Sequence, residues 1–281
     1  MHLLGQRQGQ RGRTEGVAEA PDQPGLLEVL FRGGIGHALS VSKPISTWGS
    51  RWGKCVMTTA MDWPLLAPLT EDARAAVLAA ARRRSFAAGE VVFHEGDPAD
   101  SMHLVESGHL IVRVSTPDGD RATLNVLSAG DIVGELSLVH RDGATPRSAT
   151  VAALEASQTR VLPATAFHEL CDRHPGVQRL LTDMLAVRVR ELSSRLLETM
   201  YVGLDRRLCR SLLHLADVFG TGTGRLVIPL TQEHLADMVG GTRPSVNQIL
   251  QRLRTQGIIE LGRGRVIVLD RRTLTVKAGL R

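Results

Sequence analysis

The feature that most constrains this chain is a change of hydrophobic period near Pro175. Before it lies a train of short β-rich segments at 91–94, 101–106, 110–115, 122–127, 149–153 and 159–163. They are separated by turn-forming clusters: Glu95-Gly96-Asp97-Pro98, Ser107-Gly108, Pro117-Asp118-Gly119-Asp120 and Ala129-Gly130-Asp131. Turn chemistry recurring at about 8–12 residues predicts an antiparallel sandwich or jelly roll. A βαβ fold would need a helix of about 10–15 residues between strands, and the sequence offers none. Ahead of the strands, Thr70-Glu71-Asp72 can cap a helix expected to run through Arg84 and to be broken by Gly89.

After Pro175 the period becomes helical and stays so to about Met200. Leu181, Leu185, Val189, Leu192 and Leu196 advance by three or four residues and form one apolar stripe, with Arg188, Arg190, Glu191 and Arg195 around it. Such a stripe either lies against its own sandwich or pairs with a second copy; its length and continuity favour the homodimer. A further helix is expected over 204–219, ended by the glycine-rich 220–224, which reads as a linker.

Charge divides the chain along the same lines. The net charge is +5, made of +3 in residues 1–60, −5 in 61–198 and +7 in 199–281. An acidic middle joined to a basic last third suits a sensing module attached to a nucleic-acid module. Residues 1–60 show little periodicity and read as a disordered extension, with a basic arm, or a start at Met57 or Met61, as alternatives. No run of about 18 apolar residues is present and the first residues lack a signal-peptide core, so no membrane partner is expected. Cys55, Cys171 and Cys209 are scattered, which fits a reducing, cytoplasmic setting.

Two constellations carry chemistry. The first is Gly134-Glu135-Leu136 followed by Pro146-Arg147-Ser148-Ala149-Thr150. Glu135 and Arg147 stand in apolar strand material, where a charge needs a partner or a ligand. Arg147 offers a fork of donors and Ser148 a hydroxyl to a phosphate, while Glu135 can only accept, as from a sugar hydroxyl. The alternative is an internal Glu135–Arg147 ion pair.

The second lies at 231–256. Thr231 caps a short helix, Gly240-Gly241 turns it, and Thr242 caps a second helix from Arg243 to about Arg254, a helix-turn-helix pattern. Val246, Ile249 and Leu250 make its inner face. Arg243, Ser245, Asn247, Gln248 and Arg252 are expected outside, where Arg suits guanine and Asn or Gln suits adenine. Beyond it, a hairpin with Arg263 and Arg265 at its tip is placed like a wing against a phosphate backbone. The alternative is a helical hairpin for protein contact.

These patterns, in this order over residues 63–270, resemble the superfamily of the cyclic-AMP receptor protein and the fumarate-nitrate regulator (Crp/Fnr). The resemblance implies an α+β fold: a cyclic-nucleotide-binding β-roll over 61–174, a dimerisation helix over 175–202 and a winged helix-turn-helix over 203–281. The residues Gly134-Glu135-Leu136 and Arg147-Ser148-Ala149 resemble the cassette that holds a cyclic nucleotide. In that reading Glu135 takes the ribose 2′-hydroxyl, and Arg147 and Ser148 take the cyclic phosphate. On the long helix the family's cyclic-AMP sensor has Thr and Ser against adenine; here Leu192 and Ser193 match, so Ser193 alone keeps a hydroxyl. The expected effector is cyclic AMP, and the expected partners are a two-fold-symmetric DNA operator, a second copy of the chain and RNA polymerase. No metal, haem or iron–sulfur cluster is expected, since three scattered cysteines cannot hold a four-iron cluster alone. No nucleophile, base and orienting acid assemble in one motif, so an enzyme is not expected. The rival readings are the same regulator with another effector or none, and a nucleotide-binding adaptor acting through protein contacts.

Overall fold

In the computed structural model, residues 63–115, 119, 121–139, 141, 145–220 and 225–280 are described. The expectations for residues 1–60 and for most of the 220–224 linker lie outside them. A 3₁₀ turn, Pro64–Leu66, precedes α1, Glu71–Ala80. Thr70 caps α1 by accepting from the amide of Ala73.

The expected continuation of this helix to Arg84 is wrong. Arg82–Phe86 is a strand, β1, paired antiparallel with β8, Ser157–Pro163. Three successive arginines give no alternating pattern, so only the tertiary pairing makes this segment a strand. The remaining roll strands are β2, Val91–Phe93; β3, Ser101–Ser107; β4, Leu110–Ser115; β5, Arg121–Leu127; β6, Ile132–Val133; and β7, Thr150–Ala153. They form two four-stranded antiparallel sheets, ordered β1-β8-β3-β6 and β2-β7-β4-β5.

Phe86, Val105, Leu110, Val112, Leu127 and Val151 fill the space between the sheets. On the outer side of the first sheet, Met102, Leu104 and Leu162 meet α1, α2 (Ala164–Arg173) and the start of α3 (Pro175–Tyr201). β3 is therefore buried on both faces, and side chains on alternate faces enter two different cores. Of α3, only Val177, Leu180 and Met184 are fully buried.

The C-terminal part begins with α4, Leu204–Phe219, and β9, Leu226–Ile228. Next come α5, Gln232–Val239, and α6, Arg243–Thr255. The hairpin β10, Ile259–Gly262, and β11, Arg265–Val268, precedes α7, Arg271–Lys277. β9 adds to the hairpin as a third strand, in the order β10-β11-β9, just past the 220–224 linker and in a segment to which the sequence analysis assigns no element. Leu208, Leu212, Leu235, Val246, Leu250 and Val266 make one core, and Ile111 and Val126 of the roll join it.

Candidate cyclic-nucleotide pocket and nucleic-acid interface

Gly134 has φ +83°, a conformation that a side chain opposes, and opens a 3₁₀ turn over Glu135–Leu138. Glu135 therefore sits on a helical turn and Arg147 in a loop, rather than within strands as the sequence suggested. A Cβ at Gly134 would lie 2.6 Å from Nη1 of Arg147 and 3.0 Å from the Ser101 carbonyl oxygen. The absence of a side chain lets the guanidinium pass against the backbone.

Arg147 is 6% exposed, and its loop is clamped by two backbone bonds: its amide donates to Asp97 O and its carbonyl accepts from Gly96 N, both at 2.8 Å. Its guanidinium donates to the Ser101 carbonyl at 2.6 Å and to Ser101 Oγ at 3.1 Å, with Asp100 Oδ1 at 3.4 Å. The face of the group lies 4.1 Å from the centroid of Phe93. Its buried Nε has no partner among the described residues. Burial pulls the Arg147 pKa below the usual guanidinium value, and Asp100 and Asp97 oppose that shift. The same cation contributes to the state of His103, which burial first and Arg147 second push down to about 4.

Glu135, also 6% exposed, does not pair with Arg147. Its carboxylate accepts from Nε of Arg188 on α3 at 3.2 Å. The internal Glu135–Arg147 pair is thus absent, and the acceptor and the fork donor have separate partners. Arg188, Asp100, Ser101 and Phe93 were missed in the sequence. Arg188 was legible only as one of the charges beside the apolar stripe.

Ala149 is buried, whereas Ser148 and Leu136 are exposed. Ser193 is exposed and lies five residues past Arg188, about 140° around the helix. The residues fit a cyclic phosphate and a sugar: a buried guanidinium with an unused donor, packed against the turn at Gly134, and a carboxylate that can accept.

The second site is built by local capping. Thr231 accepts from the His234 amide at 3.2 Å, Gly240 closes α5 at φ +61°, and Thr242 accepts from the Ser245 amide at 3.4 Å. Pro244, in the first turn of α6, removes an amide that would have had no helical partner. Thr242, Arg243, Gln248 and Arg252 are exposed; Ser245 and Asn247 are half-buried, against the expectation of an outer position. Asn247 accepts from Gln251 at 3.3 Å, and Arg252 is held by Asp205 of α4 at 2.8 Å. Arg263 and Arg265 are exposed at the hairpin tip, where Gly264 takes φ +65°.

A cyclic nucleotide-binding domain model matches residues 83–174, and a Crp-like helix-turn-helix domain model matches residues 206–276. A CRP-like cAMP-activated global transcriptional regulator of Mycobacterium tuberculosis is 30% identical over 196 residues, covering 69% of this chain and 86% of that protein. The chain belongs to the Crp/Fnr superfamily of transcription regulators. It is a DNA-binding regulator with a cyclic-nucleotide-binding domain, in a family of regulators rather than enzymes. A crystal structure of a Crp-family transcriptional regulator from Thermus thermophilus is 26% identical, covers 70% of this chain and 96% of that one, and gives a TM-score of 0.60. The c-di-GMP responsive global regulator CLP of Xanthomonas campestris, 19% identical over 71% of this chain and 99% of that one, gives 0.60 and shares the fold. The expected β-roll, long helix and winged helix-turn-helix are all found. No described helix is long and apolar enough to cross a membrane.

Proposed function

We propose that this Crp/Fnr regulator is a homodimer controlled by cyclic AMP bound in the β-roll. The observation that carries the ligand reading is the separation of Glu135 from Arg147. Each buried charge is held by its own protein partners, so a ribose hydroxyl and a cyclic phosphate can address them separately. The Mycobacterium tuberculosis relative is described as cAMP-activated, which favours cyclic AMP over other cyclic nucleotides. Residues 61–174 form the sensor in this reading, 175–202 the dimer helix and 203–281 the reader of a two-fold operator, with RNA polymerase as a further partner.

The dimer reading rests on α3. Val189, Leu192, Leu196 and Met200 are between 55% and 62% exposed, an apolar row unlike the surface of an ordinary monomeric helix. Leu181 and Leu185 continue it into half-buried positions.

Calorimetric titration of the purified chain with a panel of cyclic mononucleotides and cyclic dinucleotides tests the effector. Cyclic AMP is expected to bind, and Arg147→Ala to weaken it at least tenfold by removing charge-assisted bonds of about 1.5–3 kcal/mol each. Equal affinity of wild type and variant overturns the pocket assignment. Binding of a dinucleotide alone would replace cyclic AMP as the effector.

A further inference from the structure

The docking of the helix-turn-helix on the β-roll has a chemistry that the ligand reading does not use. Ile111 of β4 and Val126 of β5 are cross-strand partners, and both are buried at 1% exposure in the core of the C-terminal module. α5 covers this hairpin. It has two stripes: Leu235, Ala236 and Val239 are fully buried, while His234, Asp237 and Met238 are half-buried. At the polar end of the contact, Nη2 of Arg113 on β4 lies 3.0 Å from Nε2 of His234.

This contact fixes the protonation state of the imidazole. A guanidinium can only donate, so Nε2 accepts and the ring proton sits on Nδ1. That Nδ1 is buried with no partner among the described residues, and Nε of Arg113 is in the same condition. Protonation of Nε2 would replace the hydrogen bond with two cations facing each other in a half-buried contact. The charged groups acting on His234 are Arg113, which opposes protonation, and Glu233 and Asp237 on its own helix, which favour it. Arg121 of β5 acts on the neighbouring Asp237.

We propose that His234, facing Arg113, is a pH-sensitive latch: neutral, it holds α5 of the DNA-reading module against the β4–β5 hairpin, and protonated, it releases it. Burial first and Arg113 second hold the docked histidine below its ordinary 6.5. In the released state the ring regains the ordinary value and takes up a proton that the docked state refuses. The contribution of His234 to docking is therefore fully present well above pH 6.5 and is lost as pH falls through it, by up to tenfold per pH unit. Asp237, held above the usual carboxylate value by burial and Glu233, acts in the opposite direction nearer its own, more acidic titration. Because α5 and α6 share one core, release frees the recognition helix together with α5.

The test uses the full chain without ligand or DNA, so its failure is distinct from failure of the cyclic-nucleotide reading. Hydrogen exchange is followed for amides of 232–239 and 121–127 between pH 7.5 and 5.5, each corrected for its intrinsic rate. Protection is expected to fall about tenfold between pH 7.5 and 5.5. His234→Gln, whose side-chain oxygen can accept from Arg113, is expected to flatten the pH dependence. Arg113→Gln, which removes the opposing cation but not the burial, should reduce it in part and serves if the first variant does not fold. Protection that does not change with pH in wild type, or an unchanged slope in either folded variant, overturns the latch.

Discussion

Arg188 and Glu135 stand 53 residues apart in sequence and 3.2 Å apart in space, joining the long helix α3 to the turn that opens the nucleotide cassette. The carboxylate side chain is 8% exposed and the guanidinium 32%, so the pair is buried on the acid's side. Replacing Arg188 with Ala leaves a buried carboxylate without its charged partner, at an expected cost of about 1–3 kcal/mol. Urea denaturation is the measurement. Adding Glu135→Gln to that variant should recover part of the loss, because the neutral amide is cheaper to bury. Additive losses would mean that the two side chains are energetically independent.

Elements whose signal is local were legible in the sequence. Thr70, Thr231 and Thr242 cap the helices that their neighbours announced, because a hydroxyl beside an open amide needs no distant partner. β4 was equally plain from Leu110-Ile111-Val112, although its continuous apolar run does not say which core each side chain enters. Ile111 is buried by the C-terminal module, not by the facing sheet β1-β8-β3-β6. β1 was hidden because Arg82-Arg83-Arg84 has no apolar period and owes its extended form to pairing with β8. β6 and β9, at two and three residues, are too short to show a period at all. In the pocket, Glu135 and Arg147 were visible as charges among apolar residues. Their real partners, Arg188 and Ser101, come from other elements, and no spacing rule links them.

The buried His103 should give the β-roll an acid limit. Its pKa is lowered from 6.5 to about 4 by burial and by Arg147, with its Nδ1 3.1 Å from Thr159 Oγ1. A group with a lowered folded pKa must be neutral in the fold. Its contribution is intact above pH 6.5 and is lost as pH falls from there toward about 4, amounting to roughly 3 kcal/mol at most. Thermal unfolding between pH 7 and 4.5 should show this loss. His103→Gln should reduce the slope, while an equal slope in the variant would assign the acid sensitivity to other groups.

Self-association through α3 can be probed without touching the core. Val189 and Leu196 are each 62% exposed, so aspartates there should leave the folded subunit intact while breaking an apolar interface. Sedimentation of wild type at micromolar concentration should give about 61 kDa, twice the 30.5 kDa of the chain. The double variant should sediment as a single chain with an unchanged circular dichroism spectrum. A wild-type mass near that of one chain would remove the dimer from the proposed mechanism.

DNA reading should divide between the recognition helix and the hairpin. Arg243 stands exposed at the start of α6, where helices of this kind meet base edges, and it can bond a guanine at two points. Arg263 and Arg265 project from the β10–β11 turn and suit phosphates, which fix register without carrying sequence. Arg252 differs from all three, since Asp205 already holds its guanidinium at 2.8 Å and DNA would have to compete for it. Arg243→Ala should therefore cost about 1–3 kcal/mol per half-site and relax the preference at one base pair. Arg263→Ala should weaken binding to all sequences alike and lower the salt slope by about one. Asp205→Asn should release Arg252 and raise affinity modestly, chiefly at low salt. Titrations over a randomised operator library at several salt concentrations separate these outcomes. If Arg243→Ala lowers affinity uniformly while Arg263→Ala alters base preference, the hairpin reads the bases and α6 only positions the module.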